Sequence, residues 1–179
     1  MQIQQFKKPL LLLLVAAIIT SLTFTGCSKD DDDTTNEGGV HLKAKIGSKD
    51  HNFNNVRARW MEGGAYLEIT GITASGEALS ITVTNEEGNR VPVGRYTLDD
   101  NTRFSILSTY HFMEGNVQKN FSASEKTVWN DAFELEITKQ NNTYVEGKFS
   151  GVLVIGSGLT TLQTITVENG SFSAPIGNE

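Results

Sequence analysis

The sequence predicts an all-β protein, built as a single antiparallel sandwich or flattened barrel of about nine or ten strands. Two observations carry this prediction. In most segments beyond residue 40, apolar residues alternate with polar ones at a period of two, which is the pattern of half-buried strands. Short segments rich in Gly, Asn and Asp separate the alternating ones, and these residue types tolerate the backbone angles of tight turns.

The alternation is clearest in five segments, and it predicts which side chains face the core. These are Leu67, Ile69 and Gly71; Leu79, Ile81 and Val83; Phe133, Leu135 and Ile137; Val145, Gly147, Phe149, Gly151, Leu153 and Ile155; and Ile165 and Val167. In an earlier segment Val56, Ala58 and Trp60 share one face, so Trp60 is predicted to pack in the core.

The predicted turns divide the strands at regular intervals. They fall at residues 62–64, 74–77, 85–89, 99–101, 141–142 and 156–158. Asn169-Gly170 is predicted as one more turn, and the last strand is expected to follow it and to carry Phe172, Ala174 and Ile176. Residues 121–130 fit either a loop or one helical turn.

Residues 1–26 are predicted to be a cleaved signal peptide. Lys7 and Lys8 are the only charges before Cys27, and an unbroken apolar run of ten residues follows at 10–19. A membrane-spanning helix needs about 20 apolar residues, so the run favours a signal peptide over a permanent span.

Cys27 is predicted to carry a lipid. It is the only cysteine of the chain, so it has no intramolecular disulfide partner, and this favours a modified thiol. The segment Phe24-Thr25-Gly26-Cys27 resembles a bacterial lipobox. That resemblance implies a lipid on the Cys27 thiol and therefore a stable membrane anchor; the alternative is a plain signal peptide that ends near a cysteine.

An acidic segment follows Cys27 and consists of Ser28, Lys29, Asp30, Asp31, Asp32 and Asp33. It resembles the export signal of Gram-negative surface lipoproteins, which implies transport to the outer face of the outer membrane. Four adjacent Asp residues lack the ligand spacing of a calcium-binding loop. A solvated acidic tail is compatible with the sorting role, and residues 27–39 are predicted to form a disordered tether.

Residues 40–179 are predicted to form one domain. The chain has a formal net charge of −6, which argues against nucleic acid as a partner, because nucleic-acid binding depends on basic patches. His41, His51 and His111 are isolated in the sequence and show no zinc-ligand spacing. No nucleophile-elbow or dinucleotide-loop pattern occurs either, so we expect no catalytic residue, no metal and no cofactor.

Two aromatic residues are candidate ligand contacts. Trp129 lies in a polar segment beside Asn130 and Asp131, where its ring would either stack on a sugar or pack against the end of the barrel. Tyr110 is the second candidate, on weaker grounds.

Several short motifs occur in an order that resembles a known family. Residues 93–98 with Tyr110, then 133–138, 145–151 and 167–172, resemble successive motifs of an uncharacterised family of all-β bacterial surface lipoproteins. The resemblance implies the fold and a surface location, and it supplies no catalytic residue.

The sequence therefore predicts an outer-membrane lipoprotein, lipid-anchored at Cys27 and facing the cell exterior. Its expected function is a non-catalytic binding or adhesion module for a glycan or protein partner. An accessory subunit that docks on an outer-membrane complex is the alternative, and a surface hydrolase is a further one.

Overall fold

Eleven β-strands run through residues 39–177, which are the part of the chain that the computed structural model describes. The strands are β1 His41–Ile46, β2 Lys49–Phe53, β3 Asn55–Met61, β4 Tyr66–Ile72, β5 Ala78–Asn85, β6 Gly94–Thr97, β7 Phe104–Glu114, β8 Val117–Ser124, β9 Ala132–Gln140, β10 Tyr144–Ser157 and β11 Thr160–Pro175. A 3-10 turn at Glu62–Gly64 joins β3 to β4. Within residues 39–177 there is no helix long and apolar enough to cross a membrane.

The strands form one antiparallel sheet that curls into a nearly closed, flattened barrel, which confirms the predicted fold class. Their order is β2-β1-β11-β10-β8-β7-β5-β4-β3. The long strand β10 pairs with β8 near its end and with β9 over its first half, and β9 carries β6 on its other edge. A bridge between Ala58 and Ile176 brings β3 against the end of β11.

The core lies on the inner face of this sheet and follows the predicted alternation. Leu79, Ile81 and Val83 of β5 are fully buried, whereas Ser80 and Thr82 between them are partly exposed. Trp60 is partly buried and packs against the core, on the same face as Val56 and Ala58. The period of two therefore identified the inward residues correctly, because successive side chains of a strand point to opposite faces.

Glycines on the inner face make room for phenylalanine rings from neighbouring strands. A β-carbon at Gly147 would lie 2.6 Å from the ring of Phe172, and one at Gly170 would lie 2.5 Å from the ring of Phe149. Small residues opposite large ones are a common way of filling a narrow barrel. Gly147 of β10 and Gly170 of β11 are therefore core positions, although they bury no side chain.

Asn169-Gly170 is a β-bulge inside one continuous strand, so the predicted turn and separate last strand are wrong. Lys43 pairs with Ser171 and Lys45 with Glu168, which leaves both Asn169 and Gly170 opposite the single residue between the lysines. Asn169 has a φ of 53°, the left-handed conformation that Asn tolerates. The sequence correctly predicts a residue in a turn-like backbone conformation at Asn169, but β11 continues on both sides of that residue.

Residues 121–130, for which the sequence fits either a loop or one helical turn, are divided between a strand and a connection. Residues up to Ser124 belong to β8, and residues 125–131 form an irregular connection to β9. Asp131 organises this connection, because its carboxylate accepts hydrogen bonds from the Ser124 backbone N–H at 2.9 Å and from the Thr127 hydroxyl at 2.5 Å.

Four connections lie at one end of the barrel, as the alternating strand directions require. They are residues 47–48, 73–77, 115–116 and 158–159, which join β1 to β2, β4 to β5, β7 to β8 and β10 to β11. We call this end the hairpin rim.

Candidate functional site

A partly buried hydrogen-bonded pair, His51 and Glu77, joins β2 to the β4–β5 connection at the hairpin rim. Nδ1 of His51 lies 3.2 Å from Oε2 of Glu77, and the exposed fractions of the two side chains are 8% and 27%. His51 and Phe53 occupy alternate positions of β2, so both side chains face inward. Because a carboxylate accepts hydrogen bonds and does not donate them, the hydrogen of this bond belongs to Nδ1.

Two aromatic rings of β7 pack beside this pair. The Tyr110 ring meets His51 edge-on at a centroid distance of 5.7 Å, and Phe112 lies 5.4 Å from Tyr110. Burial and, to a smaller extent, the negative charge of Glu77 raise the pKa of Tyr110 to about 12. The phenol therefore keeps its hydroxyl hydrogen further into the alkaline range than an exposed tyrosine does.

These side chains line a cavity of about 250 Å³, which we call the mouth cavity. Its apolar walls come from Ile46 of β1, Phe112 of β7 and Ile165 of β11. Its polar groups come from His51, Glu77 and Tyr110, with Lys49 and Ser48 at the β1–β2 connection. An apolar cavity that contains a few converging polar groups is the usual form of a small-molecule site, and barrel mouths are a frequent place for one.

A larger depression of about 510 Å³, the outer groove, lies on the outward side of β1 and β2. Lys43 and Lys45 occupy outward positions of β1 and alternate there with buried Leu42 and Ala44. The lining of the groove consists of His41, Lys43, Ala44, Lys45, Asp50, His51, Asn52 and Asn169. His51 lines the groove as well as the mouth cavity, so the two depressions are neighbours.

The β11 bulge contributes one of the amide side chains of the groove. Asn169 is exposed, and its left-handed backbone belongs to the extra residue that the bulge inserts. Lys45 is held on the same side by an ion pair with Glu168, at 3.2 Å between Nζ and Oε2. Lysine ammonium groups and asparagine amides offer both charge and hydrogen-bond donors to a ligand.

Trp129, the first predicted ligand contact, packs against the β10–β11 hairpin. A β-carbon at Gly156 would lie 2.0 Å from Cε2 of Trp129, so the indole ring covers that glycine. The indole N–H donates to the backbone carbonyl of Gly158 at 3.2 Å. Trp129 is half-buried and does not line the mouth cavity or the outer groove.

A separate acidic depression of about 230 Å³ includes Glu86, Asp99 and Glu125. Burial raises the pKa of Glu125, and Lys126 opposes this shift with its positive charge. The Lys126 backbone N–H also donates to Oδ1 of Asp99 at 3.0 Å. Residues 39–177 contain no group of three or more His, Cys, Asp or Glu side chains arranged to hold a metal ion.

The predicted site residues are therefore distributed over separate places. Tyr110 lies at the mouth cavity with an exposed fraction of 2%, and Trp129 lies elsewhere on the barrel. Cys27 and residues 28–33 lie outside the described residues, so lipidation and surface sorting stay predictions. The sequence predicts no site role for His51, an isolated histidine, or for Glu77, which ends a predicted turn, although the alternation of His51 with Phe53 indicates an inward histidine.

No protein-family model, curated protein or solved structure matches the chain. The resemblance to surface lipoproteins accordingly stays a prediction.

Proposed function

We propose that the protein is a lipid-anchored lipoprotein of the outer membrane, facing the cell exterior, that acts as a non-catalytic binding or adhesion module for an acidic glycan. The outer groove is its ligand site. The observation that carries the proposal is a groove containing Lys43 and Lys45 on a chain whose formal net charge is −6.

The chemistry of the groove suits sugars that carry carboxylate or sulfate groups. The lining holds the ammonium groups of Lys43 and Lys45 and one carboxylate, that of Asp50, and Lys45 also pairs with Glu168 beside the groove. Lys43 forms no ion pair with another residue of 39–177, so its ammonium group is the main positive charge offered to a ligand. The amides of Asn52 and Asn169 both donate and accept hydrogen bonds, as sugar hydroxyl groups require. A lipid anchor would keep such a groove at the cell surface, where acidic polysaccharides are encountered.

The proposal is tested with the protein purified from membranes in detergent. We would titrate it with polygalacturonate, which is carboxylated, with heparin, which is sulfated, and with neutral dextran. We expect at least one acidic polymer to bind and dextran not to bind, with affinity falling as salt is raised from 50 to 500 mM, because salt screens exposed charges.

Paired lysine variants locate the site. Replacing Lys43 and Lys45 together by Ala should weaken binding at least tenfold. Lys139→Ala is the matched control, because Lys139 is an exposed lysine of β9 that does not line the groove. Equal binding by all three proteins, or no binding to either acidic polymer, would refute the groove as a site for acidic glycans.

Docking on an outer-membrane protein complex is the second candidate function, and exposed apolar residues at the hairpin rim favour it. Leu159 has an exposed fraction of 84%, and Met113, Val117 and Leu162 are more than half exposed. Exposed apolar residues grouped on one surface are typical of protein contacts. Cross-linking in cells should recover a partner with the wild type but not after Leu159→Ser and Leu162→Ser; recovery of the protein alone would argue against docking.

A further inference from the structure

The mouth cavity is a second site, distinct from the outer groove, and it has its own chemistry. It contains three aromatic rings, those of His51, Tyr110 and Phe112, together with the aliphatic side chains of Ile46 and Ile165. Aromatic rings prefer edge-to-face or offset contacts with other rings, and the His51–Tyr110 pair already has an interplanar angle of 75°.

The volume of the cavity limits the size of a ligand. An apolar protein cavity of about 150 Å³ is large enough to bind benzene. The mouth cavity has about 250 Å³, so it accommodates a single six-membered ring with a small substituent. A two-ring or long-chain molecule would extend out of it.

The polar groups that line the cavity supply one acceptor and one donor. Glu77 holds the hydrogen of His51 on Nδ1, so in the neutral imidazole Nε2 is the acceptor nitrogen. The Tyr110 hydroxyl supplies a donor, as a phenol does at neutral pH. One acceptor and one donor within a single cavity match a hydroxyl group, which both donates and accepts.

The charges of the cavity favour a neutral ligand. A ligand carboxylate near His51 would also lie near the carboxylate of Glu77, which is 3.2 Å from the imidazole. A ligand ammonium group would compete with His51 for Glu77 and would meet the positive charge of Lys49. Like charges held close together in a poorly solvated place repel strongly.

We propose that the mouth cavity binds a small, neutral, hydroxylated aromatic molecule. Its ring lies against Tyr110 and Phe112, and its hydroxyl group hydrogen-bonds with His51 and Tyr110. This site does not depend on the anionic ligand of the outer groove, so either proposal can fail without the other.

The experiment compares three probes of similar size on the full chain in detergent: phenol, benzene and benzoate. Binding is followed by the amide chemical shifts of cavity residues. We expect phenol to bind at least tenfold more tightly than benzene, and benzoate not to bind. Binding of benzene equal to that of phenol, or binding of benzoate in preference to phenol, would overturn the proposal.

Variants test whether the assigned atoms recognise the hydroxyl group. Tyr110→Phe removes only the phenolic oxygen and should weaken phenol binding about tenfold while leaving benzene binding unchanged. Tyr144→Phe is the matched control, because Tyr144 is half-buried at the start of β10 and does not line the cavity. Unchanged phenol affinity in Tyr110→Phe would refute the assignment.

A cavity-filling variant keeps the test decisive if Tyr110→Phe fails to fold. Ile165→Phe enlarges a half-buried wall residue and should abolish the binding of both phenol and benzene. Persistent binding of either probe in Ile165→Phe would place the probes outside the mouth cavity and overturn the proposal.

Discussion

The indole ring of Trp129 covers Gly156 so closely that a β-carbon at residue 156 would lie 2.0 Å from Cε2. The ring belongs to the connection between β8 and β9, while the glycine lies near the end of β10. The contact, with the indole hydrogen bond to Gly158, fastens that connection to the β10–β11 hairpin. An aromatic ring laid over a strand glycine shields backbone that lacks a side chain of its own.

This contact predicts that Gly156→Ala destabilises the protein. The added methyl group must push the rigid indole ring away, and overpacking of this kind costs about 1–3 kcal/mol of unfolding free energy. Urea denaturation measures the loss. In a Trp129→Ala background the same substitution should cost much less, since the clashing ring is absent; an equal cost in both backgrounds would show that the ring does not cause the effect.

Stability is predicted to fall between about pH 10 and pH 12. Burial raises the pKa of Tyr96 to about 12, and it raises that of Tyr110 to about 12 with help from Glu77, against an ordinary value of 10.0. In this pH window the unfolded chain releases both phenolic protons while the folded protein retains them. The unfolded state then binds fewer protons, so the free energy of unfolding decreases as pH rises.

Denaturation midpoints measured at pH 8, 10, 11 and 12 check this prediction. Tyr96→Phe should reduce the alkaline slope, because the variant no longer has that proton to lose. It should also destabilise the protein at pH 8, since the Tyr96 hydroxyl donates to the backbone carbonyl of Pro92 at 2.5 Å. A slope equal to that of the wild type would contradict the assignment to Tyr96.

Arg90 is predicted to stabilise the end of the barrel that lies opposite the hairpin rim. Its guanidinium lies 4.4 Å from the centre of the Trp60 ring and donates to Asn142 Oδ1 at 3.3 Å and to the Asn141 carbonyl at 3.1 Å. Arg90→Gln should lower the unfolding free energy by about 1 kcal/mol, the usual size of a cation–π contact. Arg57→Gln, at an exposed outward position of β3, is the control and should change it by less than about 0.5 kcal/mol.

Cys27→Ala is predicted to release the protein from the membrane. Without a thiol no lipid can be attached, and the remaining signal-like segment is too short for a stable span. Cell fractionation with a carbonate wash gives the readout. Retention of the variant in the washed membrane fraction would refute the lipid anchor.

Replacing Asp30, Asp31, Asp32 and Asp33 together by Ala tests the sorting role separately. The variant should stay lipidated but lose accessibility to protease added outside the cells. The Cys27 lipid and the outward location are thus measured by different assays.

The period of two was enough to predict the fold class and most of the core, because one face of each strand is buried and the other is solvated. The faces of β5 and β9 and of the first half of β10 were correctly assigned in this way, whereas Val154 near the end of β10 is buried although the alternation places it on the outer face. Asn169-Gly170 was assigned wrongly, since a turn and a bulge use the same backbone conformation. Only the pairing of β11 with β1 and β10 distinguishes them.

The candidate sites depended on contacts between residues far apart in the chain. His51 and Glu77 belong to segments 26 residues apart, and neither has a neighbour in sequence that indicates the other. Trp129 drew attention as an aromatic residue in a polar segment, but its ring is covered on one side by Gly156. The residues next to Trp129 in the sequence predict a polar environment for the ring, but they do not show which part of the fold the ring packs against.

The sequence by itself determined the alternation of buried and exposed residues, most of the turns and the acidic charge, because each of these is a local property. The export features before residue 40 stay predictions. The tertiary structure decided which end of the barrel gathers His51, Glu77 and Tyr110, and which side of β1 forms a groove with Asn169. Strand order and register bring these groups together, and neither follows from the period of two, which is satisfied by many ways of pairing the same strands.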